Sequence, residues 1–129
     1  MNVLEFRQRS FQFERIVEAR AGPYAIFSRT ETESERQLRP KLVRLTVLVP
    51  LPWLVYDDSA DALRITTKGA PRTPTEASAV EIAAEPSEFE EAGERWKRAA
   101  LGAAGYVYAP AERSAELLSV DALAGLRLG

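Results

Sequence analysis

Pro86-Ser87-Glu88-Phe89-Glu90-Glu91-Ala92-Gly93-Glu94-Arg95-Trp96-Lys97-Arg98-Ala99-Ala100-Leu101 is the stretch on which the fold class turns. Ser87 followed three residues later by Glu90 has the spacing of a capping box, in which each side chain satisfies a backbone N–H at a helix start. Phe89, Ala92, Trp96 and Ala100 recur at steps of three and four, an apolar stripe of helical period. Arg95, Lys97 and Arg98 cluster toward the carboxyl end, where a helix dipole favours cations. Gly102 and Gly105 supply a stop. The pattern predicts a helix from Ser87 to about Leu101, with Phe89 and Trp96 packed onto a sheet. A second helix is expected from Ala111 to about Leu123.

Upstream the period is two. Leu42 to Val49 carries apolar Val43, Leu45, Val47 and Val49 on one side and Leu42 and Leu48 on the other. A strand apolar on both faces belongs in the middle of a sheet. Trp53–Tyr56 and Leu63–Thr67 flank Asp57-Asp58-Ser59-Ala60-Asp61 and read as a hairpin. Ser78–Ala84 alternates Val80, Ile82 and Ala84, another strand. The first twenty residues fit strand or helix, and the β-propensity of Phe11-Gln12-Phe13 and Arg15-Ile16-Val17 favours strand. Phe11, Phe13, Val17 and Ala19 then share a face, while Leu4 and Phe6 lie on the opposite parity, which requires a bend near Arg9-Ser10. Gly22-Pro23 turns the chain into Tyr24–Arg29, and Thr30–Pro40 reads as an exposed loop. The expected fold class is α+β: about six mainly antiparallel strands, as a sheet or partial barrel, with two C-terminal helices. The 129 residues suit a single domain, mainly β over 1–84 and mainly helical over 85–129.

Composition excludes several chemistries. The chain has no cysteine and no histidine. Disulfides, thiolate nucleophiles, a Ser-His-Asp triad and any Cys- or His-bearing zinc site are therefore impossible. No glycine-rich phosphate loop is present, since Gly102-Ala103-Ala104-Gly105 lacks the lysine and the context. Neither catalytic residues, cofactor nor metal is expected, and the chain is read as a non-enzyme. The longest apolar run, Leu45–Tyr56, holds Pro50 and Pro52 and is too short to span a bilayer, so no membrane segment or signal peptide is expected. The sequence does not fix the location and leaves cytoplasm and virion both open.

Four groups of residues invite a function. Asp57, Asp58 and Asp61 could hold calcium, but the glycine and distal glutamate of a calcium loop are missing, and Asp and Ser suit a turn. Phe6, Arg7, Arg9, Phe11, Phe13 and Arg15 could form a platform for single-stranded nucleic acid. The net charge of −2 opposes that, and nucleic acid is not the expected partner. Trp53, Tyr56, Tyr106 and Tyr108 could line the mouth of a small α+β barrel that binds an apolar ligand. Lys68, Pro71, Arg72 and Pro74 stand in a long Pro/Thr-rich segment that could serve as an interface arm.

Charge, finally, falls in blocks. Residues 1–45 hold 9 basic and 6 acidic side chains, residues 46–94 hold 3 and 10, and residues 95–129 hold 5 and 3. An acidic middle between basic ends suits contact between unlike surfaces of neighbouring copies. The leading expectation is therefore a structural or assembly protein, one homo-oligomeric subunit of a symmetric complex such as a virion particle.

Overall fold

The computed structural model describes residues 2–20, 22–33, 41–65, 86–100 and 105–117. These form one nine-stranded mixed sheet curled into a half-barrel. The strands are β1 (Val3–Phe6), β2 (Arg9–Ala19), β3 (Gly22–Glu33), β4 (Lys41–Pro50), β5 (Leu54–Asp57), β6 (Ala62–Ile65), β7 (Glu88–Glu91), β8 (Glu94–Ala100) and β9 (Gly105–Pro110). Their spatial order is β5-β6-β1-β2-β3-β4-β9-β8-β7. All neighbours are antiparallel except β1 with β6 and β4 with β9. Short 3-10 turns occupy Leu51–Trp53 and Ala111–Arg113, and the latter runs into α1 (Ser114–Leu117).

The α+β expectation is thereby overturned. The expected helix from Ser87 is the β7–β8 hairpin, in which Phe89 stands directly opposite Trp96. A spacing of seven is two helical turns, but it also separates partners across a hairpin with a two-residue loop. The deciding residues are Ala92 and Gly93, both at positive φ (55° and 80°). That pair of angles makes the primed turn whose twist matches two antiparallel strands. A glycine in a helix interior costs about 1 kcal/mol against alanine, whereas here it is the turn. Of the second helix only α1, four residues long, lies among the described residues. The region expected to be mainly helical thus supplies three strands, β7, β8 and β9.

The amino-terminal half follows the strand reading with two changes. The bend lies at Arg7 and Gln8, at φ 52° and 62°, which form the β1–β2 turn. The register also shifts between Phe13 and Arg15, a β-bulge. That extra residue reverses the alternation, so Phe11 and Phe13 face one side while Val17 and Ala19 face the other. Thr30–Glu33, expected as loop, continues β3 beside β4. The Ser78–Ala84 strand and the segment with Lys68, Pro71, Arg72 and Pro74 lie outside the described residues.

The concave face buries Leu4, Phe6, Phe11, Ala25, Phe27, Val43, Leu45, Val47, Val49, Ile65, Phe89, Trp96 and Tyr108 in one cluster. Phe6 is its centre, with edge-on contacts to Phe11 (6.0 Å), Phe89 (6.0 Å), Trp96 (4.9 Å) and Tyr108 (5.6 Å) between ring centroids. The convex face has a smaller cluster of Tyr24, Ile26, Leu48, Val107, Ala109 and Leu117. β4 lies between the two, with Leu45 and Val47 turned to one cluster and Leu48 to the other, as its doubly apolar sequence requires.

Candidate functional site

Among the described residues, unequal strand lengths leave part of β2 without a strand on one side. β1 has four residues and pairs with β2 only from Phe6 opposite Arg9 to Val3 opposite Gln12, with a last bond from the Phe13 N–H to the Asn2 carbonyl at 2.7 Å. β2 continues for six residues, to Ala19, with β3 on one side and no described strand on the other. Alternate backbone groups along this edge point away from the sheet, a template for another strand. Beside it, on the concave side, Phe13 is 38% and Ile16 is 50% exposed. Phe13 keeps one ring contact, edge-on to Phe27 at 5.6 Å.

The edge is held in shape by polar side chains. At the bulge, the Glu14 carboxylate accepts a hydrogen bond from the Ser28 hydroxyl at 2.8 Å and pairs with Arg44 of β4. Glu14 thus ties three strands together at the point where β2 leaves its β1 partner. At the other end of β2, Oε1 of Glu31 accepts from the Nε of Arg9 (2.8 Å) and of Arg29 (2.7 Å), and Arg29 also donates to the Ser10 carbonyl at 3.1 Å. Arg9 is buried, and the carboxylate compensates its desolvation.

The described carboxylates of the acidic middle block lie toward the two ends of the strand order. Asp57, Asp58 and Asp61 sit at the tip of the β5–β6 hairpin, and Glu88 and Glu90 are exposed on β7. Asp57 caps its turn, accepting from the Ser59 hydroxyl (2.7 Å) and the Ser59 N–H (3.0 Å), and it pairs with Arg64 at 2.9 Å. The bond from Ser59 holds its carboxyl below the ordinary aspartate range. Asp61 accepts from the Tyr56 hydroxyl, which raises the phenol's pKa. Among the described residues no group of three or more carboxylates is placed to hold a metal ion.

Of the four aromatic pocket candidates, three meet at one cluster and the fourth does not. Tyr108 is fully buried among Phe6 and Phe89, and Trp53 and Tyr106 pack beside the same cluster. Tyr56 stands apart and exposed on β5. The rings of Phe6, Phe89, Trp96 and Tyr108 pack edge to face within the concave-side cluster. Of the amino-terminal platform, Phe6 and Phe11 are core, Arg7 lies over Phe89 at 4.1 Å, and Arg9 is ion-paired. The arm residues Lys68, Pro71, Arg72 and Pro74 lie outside the described residues. Among the described residues, no helix is long and apolar enough to cross a membrane.

Sequence reasoning missed the Phe13–Ile16 edge. The usable signal was the contrast between a short amino-terminal strand ahead of Arg7-Gln8 and the long β-prone run after it. The chain matches no protein-family model, no curated protein and no solved structure.

Proposed function

We propose that this chain is a non-enzymatic structural subunit that joins neighbouring copies of itself by strand addition at the part of β2 that has no partner strand on one side among the described residues. The observation that carries this reading is the six-residue edge beyond β1, flanked by the half-exposed Phe13 and Ile16. Strand addition takes affinity from backbone bonds and specificity from alternate side chains, and this edge offers both. The charge distribution supports an unlike partner surface. The β2 edge belongs to the net basic first block, while the described acidic residues of the middle block lie at the outer hairpins of the sheet. Asp57, Asp61, Glu14 and Glu31 are engaged in turn capping, hydrogen bonds and ion pairs. With no histidine or cysteine, a catalytic arrangement would have to be built from other groups.

Light scattering across concentration and salt tests the proposal. The wild-type chain is expected to associate at low salt, and Ile16→Lys, which places a cation on the exposed edge, is expected to abolish association while leaving the melting curve of the subunit nearly unchanged. A wild-type chain that stays monomeric at high concentration and low salt overturns the reading. So does an Ile16→Lys variant that assembles like the wild type.

A further inference from the structure

Residues 87–100 carry a local preference that the folded chain overrides. Ser87 and Glu90 have capping-box spacing, and Phe89, Ala92, Trp96 and Ala100 form a stripe of helical period. Glu91 precedes Arg95 by four residues and Glu94 precedes Arg98 by four, the orientation in which such pairs support a helix. In the fold the same residues are β7, its turn and β8, with Phe89 opposite Trp96. A conflict between local preference and final structure marks a strained or functional segment.

The hairpin depends on the strand that follows it. Two strands alone are marginal in water, and a third is needed for independent stability. β9 supplies it, pairing with β8 from Trp96 opposite Pro110 to Ala100 opposite Tyr106. The turn is strained in itself, since Ala92 carries a side chain at φ 55°. A helix over the same residues has no left-handed angle and needs no third strand, only an apolar surface on which to lay its stripe. Both conformations offer that surface the same two rings. Seven residues bring Phe89 and Trp96 to one side of a helix after two turns. The hairpin sets them side by side toward Phe6, whose ring centre lies 6.0 Å and 4.9 Å from theirs.

We infer that residues 87–100 form a two-state segment, an amphipathic helix while β9 is unpaired and the β7–β8 hairpin once β9 has docked. The folded chain holds no helix there; the helix belongs to the state that precedes docking. β9 selects between the two because its five paired positions on β8 exist only in the hairpin. A partner that binds one of two states shifts the population toward it. Until then the helix keeps Phe89 and Trp96 on one face. The inference does not depend on assembly at β2.

Nuclear magnetic resonance of the full-length chain tests the two states. Val107→Pro together with Ala109→Pro removes two N–H donors from β9 and prevents its pairing with β8. The Cα shifts of residues 88–100 should then move to the helical side, whether or not β1–β4 stay folded. Adding Gly93→Ala should raise the helix-to-coil ratio roughly fivefold, the difference between glycine and alanine inside a helix. In the otherwise wild-type chain the same Gly93→Ala should lower the melting temperature, because Gly93 holds φ 80° in the turn. Extended or random-coil shifts over 88–100 in the β9 variant overturn the inference. So does a helix ratio that Gly93→Ala leaves unchanged, or a Gly93→Ala chain that melts at or above the wild-type temperature.

Discussion

Replacing Phe6 by alanine removes the ring on which five strands converge. The side chain is 1% exposed, and its neighbours Phe11, Phe89, Trp96 and Tyr108 belong to β2, β7, β8 and β9. Buried Phe→Ala changes cost about 3–5 kcal/mol, the spread reflecting how far the surroundings can collapse into the space. Four separate strands, each fixed by its own backbone pairing, cannot close on one point, so the upper end of that range is expected. Edge-on ring contacts add about 0.5–1.5 kcal/mol each beyond area burial, though not additively. At roughly 3–5 °C per kcal/mol for a chain of this length, the melting temperature should fall by about 10–25 °C. Urea unfolding followed by circular dichroism measures the loss, and Phe6→Leu, which keeps most of the volume, should lose less than half as much. A loss below about 1 kcal/mol for Phe6→Ala would refute the placement of Phe6 at the centre of the core.

Burial holds the Glu91 carboxyl above the ordinary glutamate range, with Arg7 pulling partly the other way and Glu94 standing opposite across the hairpin. A raised acid stabilises the fold where it is protonated, and that contribution is lost as pH rises through its folded pKa. Glu91→Gln should therefore melt higher than wild type at pH 7, and the two curves should converge in acid; a lower melting temperature at pH 7 sinks this account. Ala92 pairs a left-handed backbone with a methyl group, so Ala92→Asn, the residue this turn position favours, should gain about 0.5–1 kcal/mol in urea unfolding. No gain, or a loss, would mean that the packing of the Ala92 methyl outweighs the turn.

How much of this was legible in the sequence depended on whether a pattern had one structural meaning. β4 did, because an eight-residue run apolar on both parities is too short for a long buried helix and too regular for a loop. The β5–β6 hairpin did as well, since Asp57 and Ser59 have few uses other than closing a turn. Phe89 and Trp96 did not, because seven residues of separation serves both a helix face and a hairpin pair. Gly93 was the discriminating residue, and its meaning rested on a backbone angle that composition does not reveal. The β2 edge was illegible for another reason. An open edge is defined by the strand that is missing beside it, and pairing partners are set by topology, not by the run itself. Even the face assignment of Val17 and Ala19 hung on one bulged residue, Glu14, whose carboxylate finds its partners on β3 and β4.

The parallel pairing of β4 with β9 also sets an order of events during synthesis. β1 to β4 form a continuous antiparallel run within the first fifty residues, and each pairing there is local. The partner for the outer side of β4 begins only at Gly105. At about 5–20 residues per second, a growing chain carries a finished β4 for roughly 3–11 s before β9 can be made. Throughout that interval β4, rich in Val and Leu and apolar on both faces, lacks the β9 pairing on one flank and the β9 residues that cover its convex side. Sticking between nascent chains is thus a hazard expected of the crossover itself, and the non-local docking of β9 onto β4 is the pairing expected to form last.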